Sequence, residues 1–257
     1  VLMGWRAGTS TTTGGQNVFL GKDAGYYVST GADNTYVGTA SGPNSASGAS
    51  TGNNNVGVGT NALRGITSAS NNVGIGYRAL YVNSSGTRNN AVGYLALSKQ
   101  TTTNDNTAMG YLAARYTTGA SNTAIGAYAM SAGSSGGNVS ASNVAVGKEA
   151  LREITSGGAN VAIGVFALDN LSTASSNVAV GYNALSNTQT GAENVAVGRE
   201  ALENTIGSGN IGIGYQAGHN VYDGEYNVAI GYQALPDTVT GDFNIAIGRT
   251  TAQQMEA

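Results

Sequence analysis

The sequence predicts an all-β repeat solenoid of about fourteen stacked rungs, and three observations predict it. A unit of the form Asn-Val-Ala-Val-Gly-x-x-Ala-Leu begins at Asn17, Asn34, Asn55, Asn72, Asn89, Asn106, Asn122, Asn143, Asn160, Asn177, Asn194, Asn210, Asn227 and Asn244. The step between copies is 17 residues nine times, 16 twice and 21 twice, too regular for a globular domain and within the range of a solenoid rung. Every unit opens on Asn and carries Gly at its fifth place, and the residues between alternate with the period of two that marks a short strand. The array therefore spans residues 17–252, with an N-terminal connecting segment at 1–16 and a C-terminal tail at 253–257.

Each column of the unit makes its own physical demand. Gly at the fifth place (Gly76, Gly147, Gly181, Gly231) tolerates a positive φ or a close neighbouring backbone, so a bend is expected at the end of every strand. The Asn column (Asn72, Asn143, Asn177, Asn227) stacks on itself if the rungs are in register, its amides bonding from rung to rung or satisfying turn backbone. The second and fourth places are bulky, as in Val144 and Val146, and are expected to face the core. The third place is Ala or Gly except at Phe19 and Tyr36, which leaves room for another chain to approach there. On that facing, the two rings plug the axis between chains or stand where chains diverge. Ala at the eighth place and Leu at the ninth (Leu63, Leu97, Leu168, Leu202) form the far wall of a narrow core, and the Ser-, Thr-, Asn- and Gly-rich remainder reads as turn.

Three aliphatic side chains per rung do not offset the ordering of about 17 residues. Association between chains is therefore expected. The two longer steps insert Gly- and Ser-rich loops at 41–52 and 131–142, expected at the surface.

Composition narrows the function classes. Charged residues make up 10% of the chain and the formal net charge is −3, so no basic stripe is present to follow phosphates and nucleic acid is not an expected partner. With no cysteine, neither disulfides nor thiolate metal sites contribute. No stretch reaches the roughly 18 apolar residues of a membrane helix, so membrane insertion is not expected, and the opening Val-Leu-Met-Gly-Trp-Arg is too short for a signal peptide's apolar core. A start at Val1 rather than Met fits a segment of a longer protein.

No catalytic residue, metal ligand set or cofactor site is expected. Gly57-x-Gly59-x-x-Ala62, Gly74-x-Gly76-x-x-Ala79 and Gly212-x-Gly214-x-x-Ala217 match a relaxed dinucleotide fingerprint, but that fingerprint works only where a strand runs into a helix, and a 17-residue unit has no room for one. His219 is the only histidine, expected to face solvent in the turn Gly218-His219-Asn220 unless three copies meet on an axis. Glu149 and Glu200 lie three rungs apart, roughly 14 Å at about 4.8 Å per rung, too far for a glycosidase pair. Asp223, Glu225, Asp237 and Asp242 read as solvated turn charges rather than a cation site.

Tyr77, Tyr94, Tyr111, Tyr182, Tyr215 and Tyr232 all occupy the sixth place, so stacking aligns them into a stripe. Such a ladder packs against itself and can also stack on sugar faces or anchor a protein, which makes these the candidate receptor contacts.

The units Asn-Val-Ala-Val-Gly-Tyr-Asn-Ala-Leu (177–185) and Asn-Val-Ala-Ile-Gly-Tyr-Gln-Ala-Leu (227–235) resemble the shaft repeats of bacteriophage tail fibres and are similar to the head repeats of trimeric autotransporter adhesins. The resemblance covers over nine tenths of the chain. It implies a left-handed parallel β-roll with two short strands per rung and three chains side by side in a homotrimer. The 17-residue unit with Tyr-x-Ala-Leu is nearer to the fibre repeats. The function implied is a non-enzymatic structural and adhesive segment of a phage tail fibre in the virion tail, outside the cell. Its partners would be a host surface receptor (a glycan or an outer-surface protein), other fibre segments or a chaperone. The alternatives are the head of a bacterial trimeric adhesin at the cell surface, and an ice-binding solenoid. Against the last, the turn residues Thr67, Ser84, Thr101, Thr118 and Gln189 form no steady threonine array.

Overall fold

The computed structural model describes residues 1–44, 50–131, 140–236 and 240–251. The described residues form no helix and fifteen short strands: β1 (Leu2–Met3), β2 (Val18–Leu20), β3 (Thr35–Val37), β4 (Val56–Val58), β5 (Val73–Ile75), β6 (Asn90–Val92), β7 (Thr107–Met109), β8 (Thr123–Ile125), β9 (Val144–Val146), β10 (Val161–Ile163), β11 (Val178–Val180), β12 (Val195–Val197), β13 (Ile211–Ile213), β14 (Val228–Ile230) and β15 (Ile245–Ile247). They line up in chain order in one sheet. Pairing is parallel and keeps the register of the unit, as in Val161↔Val178, Ala162↔Ala179 and Ile163↔Val180. The 16-residue step between Asn194 and Asn210 leaves that register intact, with Ala196 opposite Gly212. The fold is a parallel β-solenoid of about fourteen turns.

The chain divides into two compact units, Val1–Ala124 and Ile125–Ala257. In the first, residues 1–16, read from sequence as a connecting segment, carry the pattern of a further rung. β1 pairs with β2, and the Val1 ammonium donates to the Asn17 carbonyl at 2.7 Å. Gly4, Arg6 and Gly8 hold positive φ where later rungs do the same. In the second unit the rungs from β9 to β14 repeat one another closely, each strand presenting a half-buried second place and a buried third.

One strand per rung is present among the described residues, not two. After each strand the chain passes through the fifth-place Gly at a φ of 126–144° from Gly21 to Gly248. It then turns again at the seventh and ninth places, where even Leu sits in the left-handed region, as at Leu151 (φ 51°) and Leu168 (φ 52°). That bent Ala-Leu segment cannot run as a strand. It is held instead by rung-to-rung bonds such as Leu168 N–H to Ala184 C=O at 3.0 Å.

The facing expected from sequence is reversed. The third-place Ala residues are buried (Ala91, Ala145, Ala162 and Ala179 at 0%), as are the eighth-place Ala and ninth-place Leu columns. Phe19 and Tyr36 are likewise 0% exposed and stack inside the roll with centroids 5.4 Å apart. The fourth place points outward, leaving Leu20, Ile75, Met109, Ile163 and Ile213 about 40–50% exposed. The reason is thickness. The Ala-Leu wall stands so close behind the strand that a small third residue is the one that fits.

A further core column was hidden in the turns. The twelfth place is buried wherever it is described: Val28, Ile66, Asn83, Gln100, Thr117, Ile154, Leu171, Thr188, Thr205 and Val221. At Asn83 it closes its own turn, accepting from Gly86 N–H and donating to Gly86 C=O, both at 2.9 Å, whereas Thr188 donates to the Thr205 carbonyl of the next rung at 2.6 Å.

Candidate functional surfaces

The Asn column is a buried spine. Asn177 donates its backbone N–H to Asn160 Oδ1 at 2.9 Å and its side-chain amide to the same oxygen at 3.2 Å and to Gly191 C=O at 2.9 Å. Its own Oδ1 accepts from Asn194 N–H at 2.9 Å. Asn72 bonds in the same way to Asn55 and Gly86, Asn227 to Asn210 and Gly241, and Asn143 Oδ1 accepts from Asn160. The amides are consumed by the fold, and their hydrogen bonds offset the desolvation of this buried polar column.

The glycine column has two reasons to lack a side chain. At Gly147, φ is +140° and an added Cβ would stand 2.3 Å from Gly164 O; Gly181 and Gly76 face the next rung's carbonyl in the same way, and Gly231 that of Gly248.

The sixth-place column lies on the surface. In the first unit Tyr77, Tyr94 and Tyr111 are 38–47% exposed and stack at 5.3 Å, close to the rung spacing. Arg78 lies 5.1 Å from the Tyr77 ring centre. In the second unit cations are set among the rings of the column: Arg199 stands 5.8 Å from Tyr182 and 5.6 Å from Tyr215, Tyr215 stacks on Tyr232 at 5.1 Å, and Arg249 covers Tyr232 at 5.3 Å. These contacts pre-order flat rings at the surface and supply cations beside them. The interleaved cations were missed in the sequence because only tyrosines were aligned; Lys148, Arg199 and Arg249 occupy the same sixth place.

His219 does not stand free in its turn. Its Nε2 lies 3.0 Å from Glu203 Oε2 and its Nδ1 3.1 Å from Asn220 Oδ1. Glu203 and His219 both occupy the tenth place of adjacent rungs, a correspondence that counting from the Asn column reveals and that the 16-residue step conceals. Glu200 accepts from Arg199 at 2.8 Å and Gln216 at 2.7 Å; although burial opposes it, those hydrogen bonds hold its carboxyl below the usual range.

A second cluster surrounds Arg152, whose guanidinium meets Glu149 at 2.5 Å, Glu153 at 3.0 Å and Asp169 at 3.3 Å. Burial pushes the Asp169 carboxyl up to about 6 despite the arginine, and Glu149 and Glu153 push the same way. Of the acidic turn group, Asp242 accepts from Glu225 N–H at 2.8 Å, while Asp237 lies outside the described residues, as do the loop positions 45–49 and 132–139 and the tail from 252.

These surfaces define a class, an all-β parallel solenoid with a polar spine, an aliphatic outer face and an aromatic and cationic edge. No family model, curated protein or solved structure matches the chain.

Proposed function

We propose that the chain is a non-enzymatic structural and adhesive segment of a phage tail fibre, working as a homotrimer in the virion tail and taking part in attachment to a host surface. The observation that carries this reading is the outward fourth place. Leu20, Ile75 and Met109 in the first unit, and Ile163, Val197 and Ile213 in the second beside half-buried valines, give each unit an apolar stripe that a lone soluble chain has no use for and a neighbouring copy would cover. The likeness of the Tyr-x-Ala-Leu units to fibre repeats supports the setting, with the host receptor, other fibre segments or a chaperone as further partners. The Tyr77, Tyr94, Tyr111, Tyr182, Tyr215 and Tyr232 column is the receptor-facing candidate. Aromatic ladders repeated along an array suit many weak contacts to a glycan or protein surface.

Light scattering after size exclusion tests the assembly. A mass near three times 25.7 kDa supports the reading. A folded monomer would remove the trimer and with it the fibre and adhesin readings.

A further inference from the structure

The surroundings of His219 hold an electrostatic mismatch that a bound cation resolves. On the second unit, the eleventh-place asparagines form a directed chain: Asn170 donates to Asn187 Oδ1, Asn187 to Asn204 Oδ1, Asn204 to Asn220 Oδ1, and Asn220 to the Pro236 carbonyl at 2.9 Å. A carbonyl only accepts, so the last bond fixes the Asn220 amide with its oxygen turned to His219 Nδ1. Nδ1 must then carry the proton. In the neutral ring Nε2 is left as a bare lone pair, 3.0 Å from the Glu203 Oε2 lone pairs. Two acceptors facing each other at that distance need a positive centre between them, which a second ring proton supplies when the imidazole is charged and a metal ion supplies when it is neutral.

The remaining groups suit a metal ion in that place. Glu200, Glu203 and His219 each offer one ligand atom, all within 4.8 Å of one another and all half-buried. Glu203 Oε1 is held by the Asn183 amide at 3.3 Å, leaving Oε2 turned to the imidazole. An imidazole that donates its other ring N–H to a carbonyl is oriented as metal-ligating histidines are. The Arg152 cluster provides the contrast. There Glu149 and Asp169 stand at the same seventh and tenth places, but the tenth place of the first rung is Arg152, a built-in cation. Where Glu203 replaces it, that fixed charge is missing.

We propose that Glu200, Glu203 and His219 bind one divalent transition-metal ion of the zinc class per chain, with water completing the shell. One imidazole nitrogen and two carboxylates suit zinc rather than magnesium or calcium, and ligand atoms of a tetrahedral site stand roughly 3.4 Å apart, so small side-chain shifts close the set. The site is independent of the fibre reading and departs from the sequence-based expectation of no metal.

The test is titration of the chelator-treated full chain with cobalt(II), followed by visible absorption and then by displacement with zinc. Expected are intense tetrahedral bands saturating at one ion per chain, bleached by zinc. Glu203→Gln should weaken binding by about tenfold or more, and His219→Gln should abolish the bands with the circular dichroism unchanged. A parent chain that leaves the spectrum of aqueous cobalt unaltered overturns the proposal. So does a His219→Gln chain that binds as the parent does.

Discussion

The Phe19 ring occupies the space that a side chain on Gly25 would need: a Cβ built there would meet three carbons of the ring at 2.8 Å. Tyr36 and Gly42 repeat the relation one rung later, at 2.3 Å. In rungs where the third place is Ala, such as Ala91 and Ala162, the ninth is Leu97 or Leu168 and fills the same volume from the other side.

Exchange of volumes across the roll should therefore show in a double-mutant cycle. Phe19→Ala alone is expected to cost about 3–5 kcal/mol through the cavity left. Gly25→Leu alone should cost about 1–3 kcal/mol through overpacking. The double variant recreates the Ala91/Leu97 arrangement and should recover most of the loss; urea midpoints at constant slope check it.

In the spine, Asn177→Ala leaves Asn194 N–H and Gly191 C=O without their partner and is expected to cost about 1–3 kcal/mol. Asn177→Asp should cost more, because a carboxylate would face Asn160 Oδ1 and the Gly191 carbonyl with nothing to donate. The order of the two urea midpoints is the measurement.

Glycines should divide by position. Gly164→Ala, at φ +139° with a Cβ 2.3 Å from Gly181 O, is expected to destabilise by more than about 1 kcal/mol. Gly15→Ala meets nothing within 4 Å and should stay within about 0.5 kcal/mol of the parent. Equal melting temperatures for the two would refute the close approach of rungs at Gly164.

Asp169 links stability to pH. Its carboxyl is raised to about 6 in the folded chain, against an ordinary value of 3.8, so the folded state holds its proton more tightly and this group's contribution is lost as pH rises through 6. Asp169→Asn is expected to stabilise at pH 7 by on the order of 2 kcal/mol, and the gain should vanish as pH falls towards 4. Melting temperatures of parent and variant between pH 4 and 8 decide it.

On the outer face, Ile75→Asn, Ile163→Asn and Ile213→Asn combined leave the buried columns untouched, since these side chains point away from them. For the proposed homotrimer, the mass by light scattering should fall from three chains to one while the circular dichroism is kept. A trimer that survives all three would place the contact elsewhere.

The repeat, the strand at places two to four and the glycine bend were legible because each recurs in every rung. Facing was not, because alternation tells which residues share a side but not which side is inward. Val144 and Val146 are bulkier than Ala145, and it is the ninth-place Leu behind the strand, as Leu63 stands 3.2 Å from a Cβ built at Gly57, that leaves room for only a small residue inward. The twelfth place escaped because Ile154, Asn83 and Thr188 share burial but no chemistry. The tyrosine stripe was legible, whereas the pairing of Glu203 with His219 depends on a rung one residue short.

Asn143, Asn160 and Asn177 take part in the same bonds, and Val144, Val161 and Val178 meet the same partners. Excising residues 160–176 would set Asn177 on Asn143 with the spine and strand bonds remade, at the loss of the Arg152–Asp169 pair. Recombination between stretches that share these columns can therefore lengthen or shorten the array by whole multiples of 17 residues while keeping the spine and strand bonds. Reach becomes a quantity that the gene can adjust by counting.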